Sequence, residues 1–199
     1  MIKELVNMCK DLDFDREKAL NIIKSIDVNE EFIADKYNNK TILLEKAAES
    51  ANVSMVELLL ENGADPDKIF NYCESVLWKL QYNDGETDEE NERRLIIAQR
   101  LLEYGANPLI IPENGGEDLF EFVRFTVFND SHNELWKYRS RFFILLVAFG
   151  GKKYYCEPEI FEDFDKSNMK QYSFYMVPTD SGRYFGVICD ENDNDIAFI

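Results

Sequence analysis

Apolar residues between positions 41 and 67 recur at the spacing of two short helices. The first predicted helix runs through Leu43 to Ala48, and the second carries a leucine ridge at Leu58 to Leu60. Gly63 stands where a helix end calls for positive φ, and Pro66 prevents the helix from continuing. Helices this short cannot bury their apolar faces alone. Each pair is therefore expected to stack on a similar pair.

The same unit of two helices and a turn recurs along the first 150 residues. Its exit, Leu59–Asp67, returns as Leu101–Pro108 and, one residue shorter, as Ile22–Asn29. Further helices are predicted at residues 2–11, 16–25, 73–81, 89–104, 118–128 and 134–149. The sequence therefore predicts about four helix pairs.

The spacing of the helix-ending glycines indicates insertions in two of these pairs. Gly63 and Gly105 are 42 residues apart, and Gly105 and Gly150 are 45 apart. The polar stretches 83–90 and 129–133 lie between predicted helices and account for the extra length.

After residue 153 the pattern changes from the period of helices to that of strands. Residues 171–177, 183–189 and 195–199 are rich in Tyr, Phe, Val and Ile and are separated by polar turns. They predict a three-stranded antiparallel meander. Because so small a sheet is marginal alone, we expect one face to pack on the helices as a cap. The predicted domains are 1–153, a helical repeat domain, and 154–199, a small β-rich cap.

The helix-pair unit resembles an ankyrin repeat, most clearly at residues 57–67 and 101–108 and in part at 41–48. Against the family's T-P-L-H tetrad, Thr41 comes one residue early, Ile42 replaces the proline and no histidine follows. We therefore expect apolar packing at Leu43, Leu44, Ala47 and Ala48 to carry the stacking. The resemblance implies a mainly α fold. It would be an ankyrin-type helical solenoid of about four helix pairs with a small C-terminal antiparallel β-meander packed as a cap.

Charge and hydropathy narrow the choice of partners. The net charge of −17, from 22 basic and 39 acidic residues, argues against nucleic acids and anionic membranes, which require a positive face. A basic protein is the better complement, although acidity that only maintains solubility is the alternative. No apolar run reaches the roughly 18 residues of a membrane span, and the N-terminal residues lack the apolar stretch of a secretory signal. We expect a cytoplasmic monomer.

Residues for catalysis or metal binding are scarce. His132 is the one histidine and lies in a polar turn, and neither a G-x-S-x-G motif nor a glycine-rich phosphate loop is present. The segment 190–195 has the first spacings of a calcium loop, but Asp195 stands where that loop needs glycine, so a strand-connecting turn is favoured. The dispersed cysteines, expected to be reduced thiols, are Cys9, Cys73, Cys156 and Cys189. We expect no enzyme activity, no cofactor and no metal.

The resemblance implies a protein-binding surface made of the turns between repeats and the exposed side of each first helix. The residues at these positions are Asp35, Tyr37, Asn38, Asn39, Glu45, Glu49, Lys68, Phe70, Asn71, Tyr72, Trp78, Tyr82, Pro112, Glu113 and Asn114. For Phe70 and Trp78, plain core packing is the alternative. The leading hypothesis is a non-enzymatic module that binds a partner protein, plausibly a basic one. In its sharper form the module is an inhibitor or immunity-type protein. The alternative is a hydrolase or other enzyme with a site between the solenoid and the C-terminal sheet.

Overall fold

The chain forms two compact units, Met1–Gly116 and Glu117–Ile199. The structure, a computed structural model, describes residues 1–35, 37–70, 75–82, 87–111, 115–129, 136–150, 165–178, 184–192 and 194–198. The helices Leu119–Asn129 and Trp136–Ala148 belong to the same unit as the C-terminal strands, whereas the sequence divided the chain at 153/154. Compactness does not decide where a repeat domain ends and its cap begins, so the predicted boundary stays a prediction.

The described residues of the first unit form three helix pairs. They are α1 (Ile2–Cys9) with α2 (Arg16–Ile23), α3 (Leu43–Glu49) with α4 (Val53–Glu61), and α5 (Val76–Leu80) with α6 (Asp88–Glu103). The first helices form a row in which α3 contacts both α1 and α5, and the second helix α4 contacts α6. The predicted stacking of helix pairs is confirmed for these three.

A short hairpin lies between the first two pairs, at one of the turns between repeats to which the sequence assigned binding residues. Its strands are β1 (Phe32–Ile33) and β2 (Lys40–Thr41), paired antiparallel with Phe32 opposite Thr41. Two-residue strands are too short to show the alternating pattern from which strands are recognised, which is why the hairpin was missed.

Small and aliphatic side chains carry the packing between neighbouring helices. Leu43, Leu44, Ala47 and Ala48 of α3 are each at most 2% exposed. The small alanine side chains let the adjacent helices approach closely, as expected where the tetrad's proline and histidine are missing. Apolar packing at these four positions is confirmed.

Asn52 joins the first two helix pairs because both its amide oxygen and its amide nitrogen form hydrogen bonds. Its Oδ1 accepts a hydrogen bond from the Met55 amide at 3.0 Å, which caps the start of α4. Its Nδ2 donates to the carbonyl oxygens of Met8, Cys9 and Asp11 at 3.4, 3.2 and 2.8 Å, where α1 ends. Asn52, which is only 1% exposed, thus bonds to backbone groups of two helices. Its bond to the Cys9 carbonyl is buried, and those to Met8 and Asp11 are partly buried.

The three exits predicted to be copies have the same hydrogen bonds. The Oδ1 atoms of Asp27, Asp65 and Asn107 each accept from the amide two residues later, at 2.9 Å in every case. Gly63 and Gly105 have φ of +88° and +94°, the left-handed conformation that the sequence predicted for Gly63.

Successive exits are also bonded to each other. Asn29 Oδ1 accepts from the Asp65 amide at 2.8 Å, and Asp67 Oδ1 accepts from the Asn107 amide at 2.8 Å. Because Asn29 and Asp67 occupy the same place in their exits, one interaction repeats from pair to pair.

The second unit combines a helix pair with a small sheet. Helices α7 (Leu119–Asn129) and α8 (Trp136–Ala148) are followed by a 3-10 helix, Lys166–Gln171. Strands β3 (Ser173–Pro178), β4 (Tyr184–Cys189) and β5 (Asp195–Phe198) then form an antiparallel sheet in the order β3-β4-β5. The predicted meander is confirmed.

Phe174 of β3 forms the centre of an aromatic cluster in this unit. Its ring centroid lies 5.7 Å from that of Phe128, 6.2 Å from Trp136 and 5.7 Å from Phe143. A Cβ added at Gly186 of β4 would lie 2.5 Å from the Phe174 ring and 2.9 Å from the Phe128 ring. Glycine at 186 therefore allows the sheet to approach the helices closely.

Replacing Asn52 with alanine should lower the free energy of unfolding by about 2 to 4 kcal/mol, because a helix cap is lost and the buried Cys9 carbonyl loses this donor. Urea denaturation measures the change. Asn21→Ala, at an exposed site on α2, is the matched control and should differ from wild type by less than about 0.5 kcal/mol. An Asn52→Ala variant as stable as the control would contradict the linking role.

Gly186→Ala should destabilise the protein by about 1 to 3 kcal/mol, because the added methyl group overlaps the Phe174 and Phe128 rings. Ser173→Ala, on the exposed side of β3, should have little effect in the same urea titration. Equal midpoints for the two variants would show that the aromatic cluster is not packed against β4 as described.

Candidate protein-binding surface

The loop of the β1–β2 hairpin is organised by one carboxylate. Asp35 Oδ1 accepts hydrogen bonds from the amides of Tyr37 and Asn39 at 2.8 and 3.2 Å, and its Oδ2 accepts from Asn39 Nδ2 at 2.8 Å. The Ala34 amide donates to the Asn39 carbonyl at 2.7 Å, which closes the loop. Asn38 adopts φ of +62°, a conformation that asparagine tolerates better than most residues. The structure thus brings together four predicted binding residues: Asp35, Tyr37, Asn38 and Asn39.

These hydrogen bonds favour the charged form of Asp35. The side-chain bond from Asn39 is the largest cause, and the Tyr37 and Asn39 amides add to it, so the pKa of Asp35 falls below its ordinary value of 3.8. The hairpin exposes two large apolar side chains. Ile33, at the end of β1, is 62% exposed, and Tyr37, in the loop, is 73% exposed. A fixed loop with exposed apolar side chains loses little conformational entropy on binding.

Glu45 is buried, although the sequence placed it on the binding surface. Glu45 is only 7% exposed. Its Oε1 accepts from Lys79 Nζ at 2.8 Å, and its Oε2 accepts from the Thr41 hydroxyl and lies 3.4 Å from Lys46 Nζ. Burial would raise the pKa of Glu45, but the bonds from Lys79 and Thr41 and the charge of Lys46 outweigh it and lower the pKa. The carboxylate faces other parts of the first unit instead of solvent.

Phe70 and Trp78 also lie in the core, as the alternative interpretation held. They are 2% and 5% exposed, and Lys79 Nζ lies 4.9 Å from the centroid of the Phe70 ring. Neither aromatic ring is presented to a partner. Core packing is therefore the interpretation that holds for both side chains.

Three other predicted residues retain exposed surface. Glu49 has a 54% exposed side chain and pairs with Lys46 Nζ at 2.5 Å. Lys68 is partly exposed, and its Nζ lies 4.0 Å from Oε1 of Glu31, the residue just before β1. Tyr82 is 46% exposed at the end of α5. The remaining predicted positions, Asn71, Tyr72, Pro112, Glu113 and Asn114, lie outside the described residues.

Lysines outside the predicted set of binding residues form ion pairs with carboxylates in or beside the predicted surface. Lys79 and Lys46 both contact Glu45, and Glu31 approaches Lys40 at 3.3 Å across the base of the hairpin. The i,i+3 spacing of Lys46 and Glu49 was a local signal for one of these pairs. The pairing of Glu45 with Lys79, 34 residues away, has no local signal.

The described residues offer little for metal binding, thiol chemistry or membrane crossing. Among them, no group of three His, Cys, Asp or Glu residues is placed to hold a metal ion, and no helix is long and apolar enough to cross a bilayer. Cys9 and Cys189 are buried and form no disulfide, and burial raises the pKa of Cys9 to about 12. Cys73, Cys156 and His132 lie outside the described residues.

The predicted turn at 190–195 has the same arrangement as the hairpin loop. Asp190 Oδ1 accepts from the amides of Asn192 and Asn194, each at 2.9 Å, and Asn194 Nδ2 donates to Asp190 Oδ2 at 2.9 Å. The carboxylate is therefore engaged in closing the β4–β5 turn.

Asp35→Ala should loosen the hairpin loop while leaving the matching turn at Asp190 unchanged. Because the pKa of Asp35 is lowered in the folded state, its stabilising effect is present above pH 3.8 and is lost as the pH falls through the lower folded value. Amide exchange should be faster at Tyr37 and Asn39 in the variant and unchanged at Asn192 and Asn194. Unchanged exchange at Tyr37 and Asn39 would show that Asp35 does not fix the loop.

Comparison with known proteins supports the repeat assignment. The sequence profile of the family described as Ankyrin repeat matches residues 38–71, which include the hairpin's second strand, α3 and α4. Among solved structures, the ankyrin repeat domain of Bcl-3, described as a unique member of the IkappaB protein family, is 20% identical with a TM-score of 0.38. That match covers 51% of this chain and 39% of the Bcl-3 chain. No curated protein matches. Residues 38–71 are thus an ankyrin repeat.

Proposed function

We propose that this chain binds a basic partner protein through the β1–β2 hairpin of its first unit. Ankyrin repeats are general protein–protein interaction modules, and the hairpin precedes and enters the matched repeat. The observation that carries the proposal is the fixed loop at Asp35, which holds Ile33 and Tyr37 exposed. Tyrosine is among the residue types enriched at interface hot spots, and a preorganised loop costs little to bind.

The charge of the first unit supports a basic partner. Met1–Gly116 contains 13 Lys and Arg residues and 24 Asp and Glu residues, a net charge of −11. Many of its cations are already neutralised within the described residues, where ion pairs engage Arg16, Lys18, Lys40, Lys46, Lys68, Lys79, Arg93, Arg94 and Arg100. The charge left to act on an approaching protein is therefore negative. It would speed the association of a basic one.

The sharper form of the proposal is an inhibitor or immunity-type protein that covers the basic active site of a toxin or nuclease. Negative charge and a protruding hairpin both suit insertion into a positively charged cleft. A cytoplasmic location and a monomeric state belong to the proposal, and the buried thiols Cys9 and Cys189 suit a reducing compartment.

The proposal predicts that Ile33→Ser with Tyr37→Ser will weaken partner binding by about tenfold or more. The partner is identified by photo-crosslinking from position 37 in a lysate of the source cells, and its affinity is then measured with purified proteins. Neither replacement should affect folding, because both side chains are exposed. Trp78 is unsuitable for this purpose because it is buried.

Tyr175→Ser is the matched control, since Tyr175 is 50% exposed but lies in the second unit. The control should bind like wild type, and added salt should weaken the wild-type complex. Full binding by the double variant would contradict the assignment of the hairpin. An acidic partner, or affinity independent of salt, would contradict the charge argument.

A further inference from the structure

The buried carboxylate of Glu45 connects three separate parts of the first unit. Thr41, which donates to Oε2, is the last residue of β2. Lys79, which donates to Oε1 at 2.8 Å, lies on α5 of the following helix pair. Glu45 itself lies on α3. One side chain therefore bridges the hairpin and the next pair.

The bridge extends beyond Lys79 to the turn after the second exit. Lys79 Nζ lies 4.9 Å from the centre of the Phe70 ring, within the range of a cation–π contact. Phe70 is 2% and Thr41 2% exposed, so both ends of the bridge are buried. The contacts run in sequence from Thr41 to Glu45, Lys79 and Phe70.

We propose that Glu45 is a positioning residue for the binding surface, whose carboxylate fixes the β1–β2 hairpin relative to α5. It acts through Thr41 on one side and Lys79 on the other. The inference concerns how the proposed binding hairpin is held and to that extent rests on the proposed function. Its test requires no partner, so the two proposals can fail separately.

The chemistry of the bridge favours a geometric role over a purely stabilising one. Removing charged groups from water costs much of what their attraction returns. With 9% of the Glu45 side chain and 27% of the Lys79 side chain exposed, this partly buried ion pair adds little net stability compared with apolar side chains of similar volume. An ion pair with a further hydroxyl donor does, however, accept only a narrow range of distances and directions. It therefore selects one position of β2 against α5, whereas aliphatic contacts would allow the two to slide.

Amide hydrogen exchange of the full-length chain tests the proposal. The probes are the amides of Ala34 and Asn39, which are bonded within the hairpin. Glu45→Gln keeps the size of the side chain but removes its charge. It should speed exchange at both amides by about tenfold, the expected effect of weakening a charge-assisted bond. Glu49→Gln is the matched control, on the same helix and also beside Lys46 but exposed, and should leave both rates unchanged.

A second variant separates positioning from stability. Thr41→Val, Glu45→Leu and Lys79→Met together replace the bridge with apolar side chains, so the urea midpoint should stay near wild type or rise. Exchange at Ala34 and Asn39 should nevertheless be faster.

The proposal is overturned if Glu45→Gln leaves both rates at the wild-type value, or if Glu49→Gln raises them equally. Wild-type rates in a stable triple variant would also overturn it. Should the triple variant not fold, Glu45→Gln with its control decides the question.

Discussion

Burial of one helix pair against the next is the interaction on which the first unit depends. The helices α1, α3 and α5 have eight, seven and five residues, too few to be stable in isolation. Their order comes from α3, whose leucines and alanines are covered by its neighbours. Apolar packing supplies the energy but tolerates sliding. The register between neighbouring helix pairs must therefore be set by hydrogen bonds and ion pairs, whose strength depends on direction.

Polar side chains provide that direction at several places between neighbouring pairs. Asn52 caps α4 while holding the end of α1, the exits are bonded to each other at Asn29 and Asp67, and Glu45 joins the hairpin to α5. Each is specific because its bonds connect groups that no single helix pair contains. The unit can thus present a hairpin loop in one conformation, which is what recognition of a partner requires.

Local patterns were sufficient to predict features that are set locally. The exits around Gly63 and Gly105 were recognised because a helix end with a glycine at positive φ, and the turn after it, depend on a few adjacent residues. The C-terminal strands were recognised by the alternation of apolar and polar residues. The candidate site was predicted less completely. Its hairpin loop was located, but Glu45 was placed on the surface because its partner Lys79 lies 34 residues away in sequence. For Phe70 and Trp78 the sequence left the choice between surface and core open. The same long separation concealed the roles of Lys79 and Asn52.

The central claim is that the three helix pairs of the first unit are stable only together. Native-state hydrogen exchange of the intact chain, followed through increasing urea below the unfolding transition, tests it most directly. The account predicts that the slowest amides of α1, α3, α4 and α6 converge on one common free energy of opening, because loss of any interface exposes the next. Separate opening of the α3–α4 pair, with α1 and α6 still protected at a higher free energy, would contradict the claim.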